Sequence, residues 1–234
     1  MVFKMFNLDE FEKRISYSFK NKELLKNALI HSSYASEHGY KYFENNERLE
    51  FIGDAYLDAV VSYELFKLNK EAHEGELSRD RADVVCESSL ADIARKIELG
   101  KYIYLGKGEI ANHGENKDSI LSDTFEAVIG AIVMDGGYQA AEKVLLKLFD
   151  EKIKLANEGK LNRDFKSKLQ EKLQGKYKSI KIQYILKSET GPDHDKTFNV
   201  DVVVHDKVLG SGSGKSKSKA EQAAAKDVLS KGDI

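Results

Sequence analysis

From Asp9 to about Glu158, apolar residues recur at intervals near 3.6. Segments 21–31, 44–69, 78–98, 118–134 and 138–157 therefore predict helices, and few β-branched clusters argue for strands. Gly100, Gly106, Gly108, Gly114 and Gly136-Gly137 punctuate these segments as turns or C-caps. After Glu158-Gly159-Lys160 the pattern changes. Helical DFKSKLQEKLQGK is followed by alternating IKIQYILKSE, the break GPDHDK, alternating TFNVDVVVHD and a short VLGSGSG. The chain closes on KSKAEQAAAKDVLSK, helical by its alanines. There is no internal repeat, and no low-complexity tract beyond the GSGSGKSKSK turn. The expected architecture is an all-α helical domain over 5–156, a linker at 157–161, and a small α+β domain over 162–232. The order of the second domain is α-β-β-β-α, with a three-stranded antiparallel sheet.

Composition narrows the setting. Charged residues make up 32% of the chain and apolar ones 41%, an ordinary globular balance. No apolar run approaches a membrane span, and the start, MVFKMFNLDEFEKR, lacks the apolar stretch of a signal peptide. Cys86 is the only cysteine, so an internal disulfide and a Cys/His metal framework are excluded, and a cytoplasmic location is expected. The net charge of −2 is unevenly spread. Residues 1–160 hold 22 Lys+Arg against 29 Asp+Glu, whereas 161–234 hold 15 against 10. The basic second half is the candidate partner for a polyanion.

The acidic half carries the candidate chemistry. In NNERLEFIGDAYLDAVV, a helix places Glu47, Glu50 and Asp54 on one stripe. Asp123 and Glu126 repeat an i, i+3 pair within DSILSDTFEAVIGAIVMDGG. No Lys or Arg follows any of these acids four residues on, so a solvated, salt-bridged face explains them poorly. If the two stripes converge, the carboxylates repel and raise one another's pKa. A hard divalent cation relieves that repulsion, and all-oxygen ligands favour Mg²⁺ or Mn²⁺ over zinc. Such sites support phosphodiester hydrolysis. A di-iron carboxylate bundle needs Glu-x-x-His pairs, which the six histidines do not supply.

NERLEFIGDAYLD resembles the signature helix of the ribonuclease III family. The resemblance continues through EGELSRDRADVV, LGKGE and SILSDTFEAVIGAI, in the family's order and spacing. The α-β-β-β-α segment resembles a double-stranded-RNA-binding domain, and together they span essentially the whole chain. The resemblance implies that Glu50, Asp54, Asp123 and Glu126 bind metal, with Asp54 and Glu126 catalytically indispensable. Glu47 and Glu74 match accessory acids of the cleft, with Glu76 the alternative to Glu74. Phe51 matches an aromatic that plugs a socket in a partner subunit, although it reads equally as core.

Other residues read more plainly. Asn46 is expected to cap its helix, and His31 to be structural. Gly106 and Gly108 lack the third glycine of a phosphate loop and predict a turn. Arg79 and Arg81 suit either phosphate or an exposed ion-paired face. Cys86 is expected in the core.

In the basic half, Gln170 and Gln174 lie on the first helix of the module. His194 falls in a loop that, in similar domains, enters a minor groove. Lys215, Lys217 and Lys219 gather where the last helix begins, and its N-terminus adds attraction for phosphate. Lys217-Ser218-Lys219 stands where the family usually shows adjacent basic residues; a flexible solvated loop is the competing reading.

The resemblance implies a Mg²⁺-dependent endoribonuclease, with Mn²⁺ substituting and no organic cofactor. It implies a homodimer cutting double-stranded RNA to 5′-phosphate and 3′-hydroxyl ends with a short 3′ overhang. Precursors of ribosomal, messenger and transfer RNA are the expected substrates. A non-catalytic double-stranded-RNA-binding protein is the alternative, and a small-nucleotide phosphohydrolase a third reading.

Overall fold

Asparagine side chains open the first two helices. Asn7 accepts from the Glu10 N–H ahead of α1 (Leu8–Ile15), and Asn21 from the Glu23 N–H ahead of α2 (Lys22–Ala28). The computed structural model describes residues 6–158, 161, 165–177, 180–192 and 196–231. They fall into two units, Met1–Leu161 and Asn162–Ile234. Of the expected boundaries, Met5, Asn162 and Gly232 lie outside the described residues, as do Gly159 and Lys160 of the expected linker.

The first unit continues through α3 (Ser32–Glu37), α4 (Glu47–Leu68), α5 (Glu74–Val85) and α6 (Glu87–Lys96). Two 3₁₀ turns, Leu99–Tyr102 and Gly114–Asn116, flank the short α7 (Lys107–Ala111). The unit closes with α8 (Asp118–Gly136) and α9 (Tyr138–Asn157). From Ile120 to Val133 nearly every residue of α8 is buried, so it forms the central rod against which α2, α4, α6 and α9 pack. Its Phe125 is fully buried, as are Phe11, Leu57 and Phe149 of the same core. At its C-terminal end Asp135 accepts three hydrogen bonds, from Tyr17 Oη (2.7 Å), Lys20 N (2.9 Å) and Asn21 N (2.8 Å). That clasp ties the α1–α2 connection to the rod. Leu161 returns to this core through its N–H, which donates to Leu155 O at 3.0 Å.

Three local expectations change. The single helix expected over 78–98 is broken: Cys86 is extended, with ψ 154°, and ends α5 while beginning α6. At the joint the Ser89 hydroxyl donates to Val84 O at 2.6 Å, satisfying a carbonyl the broken helix leaves free, while its N–H donates to Cys86 O at 2.8 Å. Cys86 thus sits half-buried at a joint rather than in the core. Gly108 lies inside α7 rather than in a turn, and Gly106 is the N-cap of that helix.

The second unit runs α10 (Phe165–Lys176), β1 (Ile182–Thr190), β2 (Thr197–Val204), β3 (Lys207–Gly214) and α11 (Lys217–Ser230). The sheet is antiparallel in the order β1-β2-β3. His205 and Asp206, both at positive φ, form the two-residue turn that joins β2 to β3. Leu169 and Leu173 of α10, Val200, Val202 and Val204 of β2, and Ala220, Ala224 and Val228 of α11 make a separate core. α11 lies on β3 at backbone distance: a Cβ on Gly212 would meet Ala224 N at 2.1 Å.

Candidate active site

α4 and α8 present their acids to each other. Glu50, Asp123 and Glu126 each offer a carboxylate oxygen within 4.8 Å of the other two. All three are half-buried, and among the described residues they form the one such acidic grouping able to hold a metal ion. Burial pushes the Glu126 carboxyl up to about 8, with the charges of Asp54, Glu50, Asp123 and Asp58 adding to the shift. The Glu50 carboxyl is raised by burial and then by Asp123, Glu47 and Asp54. Asp123 is raised by burial as well, although the Ser122 hydroxyl, 3.2 Å away, and His31 oppose the change.

Asp54 is exposed and stands outside the three-residue grouping, but its charge acts on Glu126, Glu50 and Asp58. Glu47 is also exposed and acts on Glu50 from one turn earlier. Glu74 is exposed at the start of α5, where it accepts from Ser78 Oγ at 2.8 Å. The Glu76 carboxylate is committed to the helix start, accepting from His73 N at 3.0 Å. Phe51 is 78% exposed and so is not core within this chain.

Sequence reasoning passed over Asp58, placed His31 as structural and took Asn46 as a cap. Asp58 extends the acidic stripe by another four residues; its carboxyl is raised by burial, while Arg81 opposes the shift. That i, i+4 continuation was the available signal. His31 caps α3, its Nδ1 accepting from Ser33 N at 3.2 Å, and its imidazole also lies within the field of Asp123. Burial holds the His31 imidazole below its ordinary value despite Glu109, Asp123 and Glu47. Asn46 does not cap α4 with its side chain; Asn45 does, accepting from Glu47 N at 3.1 Å. Asn46 is buried, and its N–H donates to Ile30 O at 2.9 Å, fastening the start of α4 to the connection between α2 and α3.

In the second unit, Gln170 is half-buried and Gln174 exposed on α10. His194 lies outside the described residues. Ser216 caps α11, accepting from Lys219 N at 3.2 Å, so Lys215, Lys217 and Lys219 bracket that helix start and all are exposed. Lys217 Nζ is 3.5 Å from a Glu189 carboxylate oxygen and 5.9 Å from the centre of the Phe198 ring.

Residues 21–153 match the family model for ribonuclease-III-like domains, and a curated Ribonuclease 3 from Caldanaerobacter subterraneus is 50% identical over 94% of this chain and 96% of its own. The chain belongs to the ribonuclease III family. Ribonuclease 3 from Nitratiruptor is 45% identical over 96% of each chain. The crystal structure of the nuclease domain of ribonuclease III from Campylobacter jejuni superposes with a TM-score of 0.58 at 44% identity, covering 63% of this chain and 96% of that one. A second structure of that nuclease domain is described as flexible in a region involved in dimer formation. Residues 165–231 match the double-stranded RNA binding motif. This ribonuclease III is an endoribonuclease carrying its own duplex-RNA-binding module. None of its described helices is long and apolar enough to cross a membrane.

Proposed function

We propose that this ribonuclease III hydrolyses phosphodiesters of double-stranded RNA with Mg²⁺ held by Glu50, Asp54, Asp123 and Glu126, and that Mn²⁺ substitutes. The carrying observation is the grouping of Glu50, Asp123 and Glu126 within 4.8 Å, with one carboxyl pushed up to about 8. A donor set of carboxylate oxygens alone fits a hard cation, and the mutual repulsion of these acids is the strain such a cation relieves. When bound, the cation supplies Lewis-acid polarisation of the phosphate and activates water.

The chain's own groups do the rest. Glu126 and Asp123 present their charges from α8 and Glu50 and Asp54 from α4, so a phosphate is drawn in only once those charges are offset. Glu47 and Glu74 widen the acidic rim. Lys215, Lys217, Lys219, Gln170, Gln174 and His194 hold the duplex by its phosphates and minor groove. No side-chain nucleophile takes part. The products carry 5′-phosphate and 3′-hydroxyl ends with a short 3′ overhang. Two copies act as a homodimer, each cutting one strand, with exposed Phe51 at the subunit contact. Precursors of ribosomal and other structured RNAs in the cytoplasm are the substrates.

The test is incubation of long duplex RNA with a metal series. Cutting is expected in Mg²⁺ and Mn²⁺ and absent with chelator, and Glu126→Gln is expected to abolish cutting while RNA affinity stays nearly unchanged. Intact RNA retained on the wild-type protein in Mg²⁺ would support binding without catalysis and overturn the proposal. Turnover of mononucleotide diesters in place of duplex would overturn the assigned substrate.

A further inference from the structure

α4 and α8 meet at two glycines. A methyl group built on Gly53 would stand 1.8 Å from Glu126 O and 2.9 Å from Gly130 N. One built on Gly130 would stand 2.0 Å from Leu49 O and 2.8 Å from Ile52 Cγ2. The nearest obstacles are backbone atoms, which have no rotamer by which to move aside. The arrangement is reciprocal. Leu49 lies four residues before Gly53, and Glu126 lies four before Gly130. Each helix therefore presses the carbonyl one turn ahead of its own glycine against the glycine of the other. Small residues permit such an approach, and Cα–H groups facing carbonyl oxygens add weak attraction.

The acids are carried by the same turns. Glu126 seats its carbonyl on Gly53 and contributes its carboxyl to the acidic grouping. Glu50 follows Leu49, and Asp54 follows Gly53. The separation of the two acid pairs is thus set by backbone against backbone, a contact with far less play than packed side chains.

We infer that this reciprocal glycine contact gauges the acidic cleft for a small divalent cation, and that Gly53 and Gly130 are positioning residues for cation choice. Mg²⁺ holds oxygen at about 2.0–2.1 Å in strict octahedral geometry, while Ca²⁺ accepts more ligands at about 2.3–2.6 Å. Wedging the helices apart penalises the smaller ion more. The inference rests on the assignment of Glu50, Asp54, Asp123 and Glu126 as the cation-holding acids.

The experiment is calorimetric titration of the full chain with Mg²⁺ and, separately, Ca²⁺, for wild type, Gly130→Ala, Leu57→Ala and Glu126→Gln. Circular dichroism checks folding. In folded Gly130→Ala, Mg²⁺ affinity is expected to fall about tenfold or more and Ca²⁺ affinity by less, so that the ratio moves toward Ca²⁺. Leu57→Ala opens a core cavity on α4 without a wedge, and its ratio is expected to match wild type. An unchanged ratio in folded Gly130→Ala, or an equal change in Leu57→Ala, overturns the inference. Glu126→Gln binding Mg²⁺ as tightly as wild type would instead overturn the acid assignment. If Gly130→Ala fails to fold, Gly130→Ala/Ile52→Ala removes the side-chain part of the clash and keeps the carbonyl part. Loss of the fold in both means that the contact holds the bundle rather than gauging the cleft, which also overturns the inference.

Discussion

Glu126 titrates near 8 because burial withholds water from its carboxylate and Asp54, Glu50, Asp123 and Asp58 all repel its charge. A carboxyl raised in the folded state binds more protons folded than unfolded across the interval from 4.5 to about 8. Stability from this group is therefore full below that interval and drains as pH rises through it. In chelator, the melting temperature is expected to fall from pH 5 to pH 8, and added Mg²⁺ to restore more at pH 8 than at pH 6. Glu126→Gln should flatten most of that dependence. A cation-independent pH profile in thermal scans would contradict this reading. The residue scale also shows how sequence misassigns neighbours. Asn45 and Asn46 are chemically identical, so nothing in the chain said which would cap α4 and which would be buried against Ile30.

Among the elements, the helices of the first unit were largely legible from apolar spacing. The α4 and α8 segments differ from their expected spans only at the ends. The joint at Cys86 was not, because a buried serine that turns its hydroxyl to a carbonyl three-dimensionally close is indistinguishable in sequence from one on a solvent face. Ser89→Ala leaves Val84 O without that partner and is expected to cost about 1 kcal/mol in chemical denaturation, without disturbing α4. The Asp135 clasp is a larger element-level dependence. Burial works against its charge, yet hydrogen bonds from Tyr17, Lys20 and Asn21 outweigh burial and hold the carboxyl below its ordinary value. Its contribution is present above the unfolded value of 3.8 and is lost as pH falls through the lower folded one. Asp135→Ala is expected to lower stability by about 2 kcal/mol at neutral pH, measured in urea. The deficit should shrink in strong acid; a deficit that grows there would contradict the assigned charge.

At the scale of the molecule, each unit buries its own set of apolar side chains, one around α8 and one between β2 and the two flanking helices. Calorimetry of the full chain is expected to show two transitions, with Mg²⁺ raising the first unit's and duplex RNA raising the second's. One transition shifted equally by both ligands would contradict that division. The uneven charge along the chain foretold which half would match the double-stranded RNA binding motif, and an alternating pattern foretold the sheet. Charge totals carried no hint that Lys217 would stand beside Glu189 across the sheet, a neighbour 28 positions away that only folding reveals. Binding constants measured against salt should therefore lose less slope in Lys217→Ala, whose charge is partly offset by Glu189, than in Lys219→Ala.

The seam between α11 and β3 bears on how the module can vary. Gly210, Gly212 and Gly214 face Val228, Ala224 and Ala220 with no room for a further carbon. The strand and helix are stacked like two flat rulers, so the height at which Ser216 and Lys219 stand above the sheet is set by covalent dimensions rather than by how side chains happen to settle. A single methyl at Gly212 or Gly214 would meet the α11 backbone itself and would have to lift the whole helix off the strand.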